Sequence, residues 1–298
     1  MVATVRLKDS FMSINTTPAS SVSQKVIPVW LSDGISTMQW PVDADAYTPL
    51  HLKSLEEMGI MRGETCQSSH MCPCSGLSSF SEFVSHLPKS LEKFLNADSD
   101  GDARYFSLVA IALVLLGNGY TDEAHALVAP LSYPQKLPFG YDPSENAYSI
   151  VSEDARSFAS YAHSLVHRRE GPHVGEFRQT GFANARYWSS IVLCSPGADS
   201  LPGYEIRDAI LKLASETFSH SPSVQQWIER HDVATQPADE SHFEARPLHE
   251  LCETVLQQKE SDHELQNFCQ QAIQREVRIL LAHALQKAGF DVNARGYD

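Results

Sequence analysis

The sequence predicts an all-α protein, a helical bundle with an irregular N-terminal segment, and three observations carry that prediction. From residue 102 onward, apolar residues recur with a period close to 3.6, the spacing that gives a helix one buried face. Capping residues stand where several of those periodic stretches begin. The connections at 131–146, 171–181 and 195–202 are rich in Pro and Gly, and no alternating run reads as a sheet strand in the bundle.

Taken in order, residues 1–40 are rich in Ser, Thr and Val, with Pro18 and Pro28. They are expected to form a loosely ordered arm with a short strand over 25–31. Residues 41–97 are punctuated by Pro, Gly, Cys and Ser, with one helix expected over 80–94. The chain therefore divides into an irregular segment, 1–97, packing on or covering the bundle, and the bundle itself, 98–298. The acidic loop at 96–101 resembles a calcium loop, but position twelve counted from Asp98 is Val109, where an EF-hand needs Glu. Helices are expected over 103–116, 121–130, 153–170, 182–193, 203–219, 223–230, 247–259 and 262–288. The first carries an apolar run at 108–116, well short of the roughly 20 residues that span a bilayer, and reads as a buried helix. Thr121 can cap the second helix, with Asp122 and Glu123 in the first turn where acids suit the helix dipole. Ser152 can cap the third. Ser261 with Glu264 makes a capping box for the last, and Gly289 stops it.

Composition narrows the function. The 298 residues are 42% hydrophobic and 20% charged, ordinary globular values with enough chain for a sizeable core. The formal net charge of −14 repels phosphate, which argues against nucleic-acid and anionic-membrane binding. The expected partner is a small-molecule substrate; the oligomeric state is not legible. The first residues lack the apolar core of a secretory signal, so a cytoplasmic, reducing location is expected. Cys66, His70, Cys72 and Cys74 place four soft ligands close together; such a cluster can hold a structural zinc or form a loop with reduced thiols. Cys194, Cys252 and Cys269 lie in apolar helical contexts and read as small core residues.

The most informative stretch is His163-Ser-Leu-Val-His167-Arg-Arg-Glu170. Its two imidazoles and carboxylate are spaced i, i+4, i+7, so they point the same way from successive helical turns. Two imidazoles on adjacent turns suit Zn²⁺ or a copper ion. His125, early in the preceding helix, completes a three-imidazole set. On the last helix, Cys269, Ile273, Glu276, Leu280 and His283 form one stripe. A carboxylate there costs several kcal/mol unless it is paired or binds a metal. For Glu276 the alternatives are a catalytic group and a buried Glu–Arg pair; for His283 they are a group near the site and a satisfied core histidine. Asn184 and Tyr187, spaced i, i+3, share a face of the helix beginning near 182 and read either as site residues or as part of an aromatic packing seam.

The run His163-x-x-x-His167-Arg-Arg-Glu170, followed by Asn184-Ala-x-Tyr187-Trp188, resembles a widespread family of helical proteins with the pattern H-x3-H-R-x-E…N-A-x-Y-W. His125, Leu251-Cys252-Glu253, Gln274-Arg275-Glu276 and His283 match its remaining motifs in order. The chain departs from that pattern in a longer loop, 171–181, between Glu170 and Asn184. It is also similar to the fungal hemocyanin-like cyclopenases, zinc-dependent enzymes of quinolone alkaloid biosynthesis. That resemblance implies a lyase reaction in which a cyclopenin-type benzodiazepinedione epoxide contracts to a viridicatin-type quinolone with loss of methyl isocyanate.

On this reading His125, His163 and His167 bind Zn²⁺, which acts as a Lewis acid on a substrate oxygen. Glu170 is the expected general acid or base, its pKa raised by an apolar bundle. Tyr187 donates a hydrogen bond, Glu276 joins the catalytic set, and Asn184 and His283 support the metal or substrate. Copper is disfavoured. A coupled pair needs two comparable histidine sets, and His220, His231, His242 and His249 form only a loose second group. The rival classes are a non-enzymatic helical scaffold, whose buried His and Glu residues fix the bundle, and a metallohydrolase of amides or esters.

Overall fold

The computed structural model describes residues 25–40, 101–132, 151–172, 179–231, 245–258 and 262–292. Among them the chain is all-α, as the periodicity predicts. The helices are α1 (Val29–Ser36), α2 (Gly101–Gly117), α3 (Thr121–Ser132), α4 (Glu153–Glu170), α5 (Gly181–Leu193), α6 (Gly203–Glu216), α7 (Pro222–Arg230), α8 (Arg246–Gln257) and α9 (His263–Lys287), with a short 3₁₀ turn at Ala198–Ser200. No described helix is long and apolar enough to cross a membrane. The helix expected over 80–94, the Cys66–His70–Cys72–Cys74 cluster and His242 lie outside the described residues.

Helix α2 is the axis of the core. Every residue from 108 to 116 is essentially inaccessible, because a helix that is apolar on all sides is stable in water only when wrapped on all sides. The wrapping comes from α1, α3, α4 and α9. Helix α4 packs most extensively on α5 and α3. Its ends follow from local chemistry. The Ser152 hydroxyl accepts the Ala155 amide at 3.2 Å, and Gly171 takes the chain out at φ 61°. The N-terminal turn of α4 lies so close to the 3₁₀ turn that a Cβ on Gly197 would stand 2.3 Å from the Glu153 carbonyl oxygen.

Five local expectations change. The strand expected over 25–31 reduces to a single bridge between Lys25 and Phe290, and the chain turns helical at Val29. Trp30 and Leu31 are buried, and the Gln39 amide donates to the Gly117 carbonyl at 2.7 Å. This part of the arm therefore belongs to the core, because its large apolar side chains have α2 to pack on. Thr121 is itself the first residue of α3 rather than a residue preceding it. The cap of α9 is Asp262, whose carboxylate accepts from the Glu264 and Leu265 amides at 3.1 and 3.0 Å; Ser261 lies outside the described residues. Helix α6 stops at Glu216, short of 219, where the Gln225 amide donates to the Ala214 and Phe218 carbonyls and satisfies groups the last turn leaves open. Cys252 and Cys269 are buried as expected, but Cys194 follows α5 as an exposed residue.

Candidate metal centre

Helices α3 and α4 bring three imidazoles together. His163 and His167 stand one turn apart on α4, with ring centroids 4.7 Å apart. His125 of α3 lies 4.8 Å from the first and 5.3 Å from the second, centroid to centroid. One ligand nitrogen from each of the three lies within 4.8 Å of the others, the sole such group of three or more candidate ligands among the described residues. Three described members of the looser second histidine group are engaged elsewhere. His220 meets Glu264 at 2.9 Å, His231 meets Glu250 at 3.6 Å, and His249 meets the Ser189 hydroxyl at 2.6 Å.

His163 is only 1% exposed, yet neither Nδ1 nor Nε2 has a hydrogen-bond partner. Leaving one buried polar atom unsatisfied costs about 1–3 kcal/mol, and native interiors avoid it. A core histidine held for structure alone would bond through at least one nitrogen. A buried imidazole with both nitrogens orphaned, set against two further imidazoles, fits a metal-ion site, because a bound ion would satisfy one of those nitrogens. Burial, then the neighbouring His125 and His167, push the His163 pKa well below the ordinary histidine value. Burial and His167 lower His125 to about 4, against an opposing pull from Glu170. Both rings are therefore neutral near pH 7, the form whose lone pair binds a metal.

His167 is oriented from its own helix. Its Nδ1–H donates to Oε2 of Glu170 at 2.7 Å, one turn further on, which leaves Nε2 as the free donor atom. A carboxylate on the outer nitrogen of a ligand imidazole fixes its tautomer and strengthens its lone pair. Glu170 is only part-buried, its side chain 26% exposed, so this edge of the site lies toward solvent. The far wall is Trp188 of α5, whose rings lie 4.0 Å from His163, centroid to centroid, tilted by 32°.

The junction of α4 and α5 holds this geometry in place. The Phe182 amide donates to the Gly171 carbonyl at 3.1 Å, and Thr180 caps α5 by accepting the Ala183 amide. A Cβ built on Gly181 would stand 2.4 Å from the His167 carbonyl oxygen and 2.7 Å from the Glu170 Cβ. Only glycine permits that approach. Asn184 sits half-buried in the first turn of α5. Tyr187 is exposed, its ring set edge-on to Trp188 at 5.6 Å.

Glu276 and His283, both on α9, have partners away from the three imidazoles. His283 Nε2 lies 2.7 Å from a carboxylate oxygen of Glu205 on α6. Glu276 is fully buried and ion-paired to Arg168 of α4, while the Tyr161 hydroxyl donates to its Oε1 at 2.8 Å. The buried Glu–Arg pair weighed from the sequence is present, with its arginine from α4 rather than from the flanking Arg275 and Arg278. Sequence reasoning missed Arg168 and Tyr161. Their spacing of seven residues, which puts a phenol and a guanidinium on one helix face, was the available signal.

Comparisons of the chain with protein-family models, with curated proteins and with solved structures return no match. The reading of the site as a metal centre therefore rests on its chemistry.

Proposed function

We propose that this protein is a zinc-dependent enzyme, a lyase of the cyclopenase kind that converts a benzodiazepinedione epoxide to a quinolone with release of methyl isocyanate. The observation that supports the metal-dependent part of this reading is His163, buried against two other imidazoles with both nitrogens unpartnered; the substrate and the ring contraction come from the resemblance of the sequence. His125, His163 and His167 would hold the ion. Zn²⁺ held there would supply Lewis-acid stabilisation of negative charge on a substrate oxygen.

The chain's own residues then divide the remaining work. Glu170 holds the Nδ1 proton of His167 and keeps Nε2 facing inward; its exposed edge leaves it able to exchange a proton with substrate. Trp188 closes the site on the α5 side, where its bulk excludes water from His163. Tyr187, exposed one residue earlier, supplies a phenol hydroxyl as hydrogen-bond donor to substrate.

Two measurements on the purified full-length chain test this reading: elemental analysis and a turnover assay with a cyclopenin-type epoxide. About one zinc per chain and formation of the quinolone are expected, both lost in His163→Ala. Absence of stoichiometric metal, with no loss of stability on chelation, points instead to a non-enzymatic scaffold. Stoichiometric zinc with hydrolysis of amides or esters, and no ring contraction, points to a metallohydrolase.

A further inference from the structure

Helix α4 packs on α2, α3 and α5, and long polar side chains link it to α9. Glu276 is 0% exposed, and Tyr161 and Arg168 are each 3% exposed. Both oxygens of the carboxylate are used. Oε1 accepts from the Tyr161 hydroxyl at 2.8 Å and from Nη1 of Arg168 at 3.3 Å, and Oε2 accepts from Nη2 of Arg168. Burial works against the arginine charge, but Glu276 outweighs it and the guanidinium's pKa is raised.

A buried ion pair is rarely the most stable filling for such a space; well-packed apolar residues of similar volume often match or exceed it. Such a pair contributes direction. Successive residues turn about 100° around an α-helix. Tyr161 and Arg168 therefore lie within about 20° of one another on α4, His163 and His167 within about 40°, and the two pairs point about 130° apart. Hydrogen bonds from Tyr161 and Arg168 to one fixed carboxylate set the rotation of α4 about its own axis. That rotation decides whether His163 and His167 face His125.

We propose that Glu276, gripped by Tyr161 and Arg168, is a positioning residue for the three-histidine centre: it sets the rotation of α4 and so presents His163 and His167 to the metal. This inference rests on the metal reading of the site and assigns Glu276 a role away from substrate.

The test is an apolar replacement of the trio, Tyr161→Phe with Arg168→Met and Glu276→Leu, compared with wild type in three readouts. These are melting temperature of the chelated protein, Zn²⁺ affinity by competition with a chromophoric chelator, and the visible absorption of the Co²⁺-substituted protein. The expected result is a chelated protein that melts at or above the wild-type temperature, binds Zn²⁺ at least about tenfold more weakly, and shows an altered Co²⁺ band. Wild-type affinity and an unchanged Co²⁺ spectrum in the folded variant overturn the inference and leave the metal centre standing. If the triple variant does not fold, Tyr161→Phe decides alone, since it keeps the ion pair and nearly all the volume. A measurable loss of Zn²⁺ affinity supports the proposal, and none overturns it. A wild-type chain that takes up neither Zn²⁺ nor Co²⁺ overturns the metal reading and this inference together.

Discussion

The indole of Trp188 lies over the imidazole of His163 at a centroid separation of 4.0 Å, so the fluorophore and the innermost candidate ligand are in contact. A paramagnetic ion bound by that imidazole would sit within a few ångströms of the indole. Titrating Co²⁺ into the chelated protein is expected to quench tryptophan emission with a break at one equivalent. The chain has four tryptophans, so Trp188→Phe assigns the signal by removing most of the quenching. Equal quenching in that variant would place the ion elsewhere.

His163→Leu separates a ligand from a structural histidine. The imidazole carries two unsatisfied buried nitrogens, and an apolar side chain of similar size relieves that penalty, about 1–3 kcal/mol per group. The variant is expected to raise the melting temperature of the chelated protein while abolishing stoichiometric metal binding. A fall in stability comparable to loss of a satisfied core histidine, with metal retained, contradicts the site.

Glu170→Gln distinguishes orientation from proton transfer. The His167–Glu170 contact at 2.7 Å predicts that loss of the charge weakens metal affinity about 10–100-fold, as losing such supporting partners generally does. A general base acting on substrate alone would leave metal affinity at the wild-type value and lower kcat only. Equilibrium metal competition alongside turnover at saturating metal gives both numbers.

Gly181→Ala tests the junction that locks α5 against the ligand helix. Its Cβ would meet backbone at 2.4 Å from the His167 carbonyl oxygen and 2.8 Å from the Gly171 nitrogen, and backbone cannot swing away as a side-chain end can. Overpacking of this kind costs about 1–3 kcal/mol, read as a lower midpoint in urea. Displacement of α5 should also weaken Trp188 quenching by Co²⁺.

His249 makes the metal-free protein acid-sensitive. Burial, then Arg168, Arg186 and Arg246, hold its pKa well below the ordinary value, and its Nε2–H donates to the Ser189 hydroxyl. In the unfolded chain it titrates near 6.5. Below that pH the unfolded state binds a proton the folded state does not, so stability falls as acid is added. His249→Gln is expected to flatten the stability profile of the chelated protein. The difference in slope from wild type reaches up to about 1.4 kcal/mol per pH unit between about pH 6 and 5. Parallel profiles would show that His249 is not held neutral.

The helices were legible because their causes are local. The expectation over 153–170 coincides with α4, since the Ser152 cap, the apolar period and the Gly171 stop lie within a few residues of the turns they control. A His-x-x-x-His pair is local in the same sense: one helix places both rings, whatever surrounds it. Helix α1 was not legible, because Val29–Ser36 takes its stability from burying Trp30 and Leu31 with the bundle, a gain visible only once α2 is in place.

Between distant segments the chain's order says little. The approach of His125 to His163 and His167, the choice of Arg168 over Arg275 and Arg278 as the partner of Glu276, and the stacking of Trp188 on His163 are set by how α3, α5 and α9 pack around α4. Residue types and helical period decide which groups a helix can present. Which of those groups meet depends on the rotation and spacing of neighbouring helices, because side-chain chemistry acts over a few ångströms of space and takes no account of distance along the chain.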